Sequence, residues 1–330
     1  MSSEKRKLAA HLMRRAGFGS TADELDHLEE IDYDSVVDNL LDPPDTSWMG
    51  DHLVRRFHHE HSGMISGFAT ADYWLYRMVT TKAPLIEKAA LFWHCLFATG
   101  YPKVVNGKVL SSQIAMFRRN VFGRFDDLLI ELSKDPAMIV WLDNKDNHNG
   151  AINENYGREL LELFSMGVGN YSEDDIKEAS RAFTGWTIGN TEYMVLRSNR
   201  DSDWPYGRIS WHFEFNEDDH DDGEKTFLGE TGNFNGEDIV EIICRQEATA
   251  RFISRRMYDF FVADEPPVPQ WPHVQPRDPD AIQQLVDAYF SSDHSIKEML
   301  RTLFKSDFFK SPEVRYKRVK SPAELMAGVL

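Results

Sequence analysis

At 330 residues, 42% of them hydrophobic and 12% aromatic, the chain is long enough to bury a full core, as one large domain or two ordinary ones. Its 37 basic against 54 acidic residues leave a formal charge of -17, which argues against a duplex-binding surface, because Lys and Arg supply the phosphate neutralisation that non-specific binding needs. No window reaches the roughly 20 apolar residues of a membrane span, and the basic first residues, MSSEKRKLAAHLMRRAG, lack an apolar h-region and a small-residue cleavage site, so neither nucleic acid nor membrane is expected as a partner and the cytoplasm is the expected location.

The pattern that follows is mainly helical. KRKLAAHLMRRAGFG runs into Gly17 and Gly19, and STADELDHLEEIDYDSVVDNLLDPP supplies a Ser20 or Thr21 cap, acids in its first turns and a stop at Pro43 and Pro44. TADYWLYRMVTT and PLIEKAALFWHCLFAT come next. The second opens on Pro84 and carries apolar residues on nearly every face, the mark of a core helix. SSQIAMFRRNVFGRFDDLLIELSKDPAMIVWLDN predicts two or three more helices, capped by Ser111 or Ser112 and restarted at Pro136. Cys95 and Cys244 both lie in apolar helical runs, where a free cysteine is a small buried hydrophobe; two such residues build neither a disulfide framework nor a Cys-based zinc site.

Between about 187 and 235 the period changes. EYMVLRS, ISWHFEF and EKTFLGETGNF are short alternating runs separated by Gly, Asn and Asp, which predicts a small β-hairpin insertion. Helices resume with GEDIVEIICRQEATARFISRRMYDFFV, a proline-rich loop over 264–279 reads as a hinge or a lid, and DAIQQLVDAYFSSDHSIKEMLRTLFKS is helical again. SPAELMAGVL has Ser321 as N-cap, Pro322 at the first helical position and Glu324 closing a capping box. A helix announced so clearly is expected to run three turns or more, so the chain is expected to be a truncated piece of a longer protein. The fold expected is mainly α, one large domain over 1–330: a multi-helix bundle with a β-hairpin insertion at about 187–235.

Candidates for chemistry gather on NENYGRELLELFSMGVGNY, residues 153–171. At the α-helical period Asn155, Glu159 and Glu162 share one face and Glu154 and Arg158 the neighbouring one, beside an apolar stripe of Tyr156, Leu160, Leu163 and Phe164. Carboxylates at i and i+3 can jointly ligate a divalent metal, as in carboxylate-rich bundles, or act as an acid/base pair where their environments differ. The alternative is structural, with Glu154 paired to Arg158 and with Glu159 and Glu162 solvated or bridged to another helix. Burying three glutamates needs compensation, so at least two are expected to meet arginine, histidine, a backbone amide or a metal.

Other residues keep this helix company. His94 is polar inside an apolar run, with Glu87 two turns before it, and is either a satisfied core histidine or a ligand. Asp143 and Asn144 stand at a helix end, before the polar loop that leads into the glutamates, where binding groups usually sit. SRAFTGW places Arg181 and Thr184 at i and i+3 on the next helix, capped by Ser172, with Arg181 either clamping an anion or neutralising the glutamate helix. NEDDHDDGEKTFLGE fits no register of a calcium loop and reads as a hairpin turn with His220, Asp221 and Lys225 turned inward. No G-x-S-x-G, Walker loop, dinucleotide fingerprint or H-E-x-x-H occurs, so the common catalytic classes are unsupported.

HLMRRAGFGSTADEL, LFWHCLFATG, DPAMIVWLDN, NENYGRELLELFSMGVGNYSEDDIKEASRAFTGW, HDDGEKTFLGETGNFNGEDIV and ATARFISRRMYDFF, in this order, resemble the successive signature blocks of a bacterial family known only as domain of unknown function 1800. The resemblance covers essentially the whole chain. It implies a mostly helical fold, a sulfatase-like partner protein encoded beside it, and shared polar positions that here are His94, Asp143, Asn144, Asn153, Glu154, Asn155, Arg158, Glu159, Glu162, Arg181, Thr184, Trp186, His220, Asp221 and Lys225. It implies no reaction. The position after His94 is Asn in the family pattern and Cys95 here.

Two expectations result. One is a hydrolase-like helical enzyme acting on a small-molecule or polymer substrate by acid/base or metal-assisted chemistry. Its pocket would be built from His94, Asp143, Asn144 and the face of Asn155, Glu159 and Glu162, and Glu159, Glu162 and His94 would hold a divalent metal. The other is a non-catalytic scaffold or binding partner of the sulfatase-like protein, whose internal charges form an ion-pair network with Arg158 and Arg181.

Overall fold

Breaks in the helical pattern decide where the elements fall. In the computed structural model, which describes residues 3–46, 53, 56, 67–189 and 211–330, α1 (Glu4–Ala16) ends at Gly17 and α2 (Ala22–Glu30) opens on a capping box of Thr21 and Glu24. α3 (Tyr33–Leu41) stops short of Pro43. α4 (Gly67–Thr80) is followed by α5 (Pro84–Leu96), which begins on its proline, and by the single turn α6 (Tyr101–Val104). α7 (Gly107–Asn120) is capped by Asn106, whose Oδ1 accepts from the amides of Lys108 and Val109 at 3.1 and 3.3 Å. Ser111 and Ser112, expected as that cap, lie inside the helix, because Asn106 already satisfies the free amides at an earlier start.

α8 (Phe125–Ser133) and α9 (Pro136–Trp141) follow, the second capped by Asp135. α10 (Asn155–Glu159) runs without a break into a π-helical turn over Leu160–Ser165, and α11 (Glu173–Ala182) opens on a capping box of Ser172 and Asp175. β1 (Trp186–Gly189) pairs antiparallel with β2 (His212–Phe215), and β3 (Lys225–Phe227) with β4 (Glu230–Gly232). The predicted run EYMVLRS lies outside the described residues. α12 (Gly236–Cys244), α13 (Glu247–Phe261), α14 (Pro279–Ser291), α15 (Ile296–Lys305), α16 (Asp307–Lys310) and α17 (Pro322–Val329) complete the chain. Helix accounts for 64% of the residues against two two-stranded sheets among the described residues, so the fold is mainly α with its strands where the period changes.

The core is organised around α5. Leu85, Ala89, Ala90, Phe92, Trp93 and Leu96 are all buried, and the Trp93 ring stacks at 5.5 Å on Phe97 and at 5.8 Å on Phe125. A leucine or phenylalanine side chain stabilises by roughly 1.5–3 kcal/mol when fully buried. The same helix carries two buried charges. Glu87 accepts from Trp74 Nε1 at 2.9 Å, Arg77 Nε at 2.5 Å and Arg118 Nε at 2.9 Å, and Lys88 donates to Glu324 on α17. The first and last parts of the chain also meet elsewhere: Arg301 and Lys305 of α15 pair with Asp38 of α3, and the Tyr33 hydroxyl donates to the Phe304 carbonyl at 2.9 Å.

Cys244 is buried as expected, but Cys95 is exposed: α5 is not covered on every side, and its last turn leaves one edge open. None of the described helices is long and apolar enough to cross a membrane.

Candidate functional site

After α9 the chain turns at Asp143, whose φ of 58° lies in the left-handed region that Asp enters more readily than most residues. Lys103 Nζ donates to the Asp143 carboxylate at 2.8 Å and to the Trp141 carbonyl at 2.6 Å. A relay of asparagines starts beside it. Asn144, buried, donates to the carbonyls of Trp186 at 2.8 Å and Phe183 at 3.2 Å. Asn147 donates to the Ser180 carbonyl at 2.8 Å and to Asn144 Oδ1 at 3.2 Å, and its own Oδ1 accepts from the Asn153 amide at 2.9 Å. Asn153 donates to the Asp143 carbonyl at 3.3 Å and accepts from the Asn155 amide at 3.0 Å, and Asn155 donates to the Leu142 carbonyl at 3.1 Å. A side-chain amide offers donor and acceptor together, so these residues replace a backbone ladder and pin the start of α10 to the ends of α9 and α11. Asn147, which the sequence did not single out, is the hub.

A second cluster anchors the β2–β3 connection. Thr184, expected on the helix with Arg181, lies past its end at Ala182, where Phe183 caps α11. Arg181 forks onto Asp221 at 2.7 and 3.1 Å and reaches Glu178 at 2.7 Å; the guanidinium holds the Asp221 carboxyl below its usual range. The Thr184 hydroxyl donates to the Arg181 carbonyl at 2.7 Å and accepts from the Asp221 amide at 2.8 Å, while His220 Nδ1 stands 2.8 Å from the Thr184 carbonyl. Lys225, almost fully buried, donates to the carbonyls of Asp221 at 2.5 Å and Gly223 at 3.0 Å, and burial lowers its pKa. Trp186 is buried with its ring edge-on to Phe183 and Phe213.

The glutamate helix itself divides its charges. Gly157 lets α10 approach α11, since a Cβ there would stand 2.2 Å from Ser180 Oγ. Arg158 pairs with Glu154 at 3.3 Å and with Glu173 at 2.8 Å. Beyond Glu159 the backbone bonds lengthen to i→i+5, with the Met166 amide donating to the Leu161 carbonyl at 2.9 Å. A π turn holds more residues than an α turn, so each residue turns through a smaller angle and Glu162 falls short of the place that an α-helical period gives it relative to Asn155 and Glu159. Of the three glutamates only Glu154 meets an arginine. Glu162 accepts from the Tyr171 hydroxyl at 3.2 Å, and Glu159 Oε2 is buried with no hydrogen-bond partner. Compensation for two of the three was expected; it is incomplete because none of them is fully buried. Burial, with the neighbouring Glu162 charge, raises the pKa of Glu159 against the opposing pull of Arg158.

Glu162 opens onto a cleft of about 620 Å³. One wall is the π-helical turn and the residues after it, with Leu163, Gly167 and Val168; α13 supplies Arg251, Phe252 and Arg255; the far wall is the proline-rich loop with Val268, Trp271 and Pro272. Gly167 has φ 76°, and a Cβ on it would meet the Phe252 ring at 2.9 Å, so glycine is what lets this turn close on α13. The loop is tied down. Trp271 Nε1 donates to the Pro266 carbonyl at 2.7 Å, the Arg255 guanidinium stands 4.5 Å over the indole and donates to the Val274 carbonyl at 3.0 Å, and Glu265 accepts from Arg255 Nε at 2.8 Å and from the Arg277 amide at 2.9 Å. Nothing in the loop's sequence announces a ligand wall except one tryptophan set among prolines. A larger recess, about 850 Å³, is lined by Phe18, Leu28, Leu40, Met78 and Ala327 and contains none of the candidate residues.

His94 stands apart. Its ring is edge-on to Trp74 at 5.2 Å and tilted to Phe117 at 6.4 Å, Nδ1 is buried without a partner, and burial lowers its pKa. Glu87, on the same helix, is occupied by Arg77, Arg118 and Trp74. Among the described residues no three of His, Cys, Asp and Glu stand where they could hold a metal ion, so Glu159, Glu162 and His94 are not brought together as one ligand set. Asp143 is likewise engaged by Lys103.

A family model described as "Protein of unknown function (DUF1800)" matches residues 11–330. No curated protein and no solved structure matches the chain.

Proposed function

The chain belongs to the DUF1800 family of proteins of unknown function, and from that premise we propose that it binds a small molecule, or a short segment of a polymer, in the cleft between the π-helical turn and the proline-rich loop. The observation that carries this reading is that Glu162 shares an open cleft with a Trp271 ring whose position is fixed by its own hydrogen bond. The volume is that of an ordinary ligand site, and walls already held in place reduce the ordering that binding requires. Most of the other family positions have their polar atoms committed to backbone carbonyls, backbone amides or arginine, which supports a positioning role for the asparagine relay and for the Arg181–Asp221 pair.

The test is a fragment screen by thermal shift. Fragments that raise the melting temperature of the wild type should lose their effect in Trp271→Ala and weaken in Glu162→Gln. Shifts retained in full by both variants would put the binding elsewhere and overturn the reading.

A further inference from the structure

The charges around the cleft are unequally satisfied. Arg255 is neutralised by Glu265 at 2.7 Å and donates to the Val274 carbonyl. Arg251 is held by Glu247 at 2.7 Å and by Gln283 at 2.9 Å. Arg158, in the turn before Glu162, lies between Glu154 and Glu173. Each guanidinium near the cleft therefore already has its carboxylate. Glu162 has none of them as a partner: among the described residues its one hydrogen-bond donor is the Tyr171 hydroxyl, a neutral group.

The proline-rich wall adds an independent constraint. Pro269, Pro272, Pro276 and Pro279 all line the cleft, and proline has no N–H, so these four positions bring no backbone donor to its wall. A ligand entering here strips water from the Glu162 carboxylate, which is unfavourable for an anion and leaves Glu162 without a charged partner for a neutral molecule. A donor-rich cation answers both. Leu163, Val168 and Trp271 supply apolar and aromatic surface beside the polar Asn170 and Gln275.

Building on the cleft as the binding site, we infer that its ligand carries a cationic group, an amine or a guanidinium, joined to an apolar body. The cation meets Glu162, and the apolar part lies along Trp271 and Val168.

Tryptamine and tryptophol, which share an indole and differ in an ammonium against a hydroxyl, separate this inference from the reading it rests on. By titration calorimetry at low salt, the wild type should bind tryptamine about tenfold more tightly than tryptophol, the size of one charge-assisted hydrogen bond. Glu162→Gln, with Glu162→Ala as a second variant should the first fold poorly, should bring the two probes to parity, and Trp271→Ala should weaken both. Equal binding of the two probes by the wild type, both weakened by Trp271→Ala, overturns the cationic class and leaves the cleft standing. A tryptamine preference that survives both Glu162 variants overturns it as well. Binding of neither probe by the wild type overturns the inference and counts against the cleft itself.

Discussion

Lys88 and Glu324 form an ion pair sealed from water where α5 meets α17, with the ammonium 5.3 Å from the centre of the Phe18 ring and 5.4 Å from that of Phe260. Burial pulls the Lys88 pKa down to about 8, against the opposing charge and hydrogen bond of Glu324. Removing one member strands the other charge in an apolar setting. Glu324→Gln or Lys88→Met alone should therefore lose about 3–5 kcal/mol, while the double variant, which leaves neither charge and keeps a capping side chain after Ser321, should lose clearly less. Urea unfolding of the three variants checks this, and a double variant as unstable as the sum of the singles would mean that the charges do not depend on one another.

Asp135 makes stability depend on pH in the opposite sense to most carboxylates. It caps α9 and accepts from Gln113 at 2.7 Å, and burial raises its pKa to about 7. The folded protein thus holds this proton more tightly than the unfolded chain. The contribution is fully present below about pH 4 and is lost as pH rises through about 7. Asp135→Asn keeps the cap and the acceptor without the charge, so it should stabilise the protein at pH 8 by roughly 3 kcal/mol, with the gain shrinking toward pH 4. Equal stability of the two proteins across pH 4–8 would show that Asp135 titrates like a free side chain.

Gly157→Ala should destabilise by about 1–3 kcal/mol, because the new methyl group would lie against Ser180 Oγ at 2.2 Å and close to the Ile176 carbonyl at 3.1 Å. Adding Ser180→Ala removes the nearer obstacle and should recover part of the loss. A melting temperature unchanged by the single substitution would show that α10 and α11 can part without penalty.

Glu159→Gln tests the lone oxygen on the glutamate helix. Its carboxyl pKa is raised in the fold, so the stability linked to it is present in acid and lost as pH rises. The variant should melt at or above the wild-type temperature at pH 7, with the difference vanishing below the ordinary range of a glutamate. A variant that melts lower at pH 7 would point to a partner for the ionised carboxylate.

The helical order is legible in the sequence because its breaks are local: Pro84 and Pro136 open helices, and Ser172 with Asp175 and Ser321 with Glu324 cap them. The π turn is not, since a run of apolar residues carries no mark of i→i+5 bonding, and the chain beyond it is set by Gly167 against Phe252 on a helix far along the sequence. The polar loop before α10 could be read as important, but the partners of its asparagines are carbonyls on α11 and β1, fixed only by tertiary packing. Glu162 stands out among its neighbours; the wall that faces it, bearing Trp271, reads as a mere connection until folding brings it across. His94 is as conspicuous as Glu162 in the sequence and is packed among aromatics away from that wall.

The hydrogen bond from Tyr33 to the Phe304 carbonyl joins residues 271 positions apart, and it sets an order of events during synthesis. On a ribosome adding about 5–20 residues each second, α15 emerges roughly 15–55 s after α3. Until then Asp38 of α3 and Asp42 just after it have no Arg301 or Lys297 to meet, and α3 lacks one of the helices it packs against. That side of α3 is therefore completed only late in synthesis, once α15 has been made.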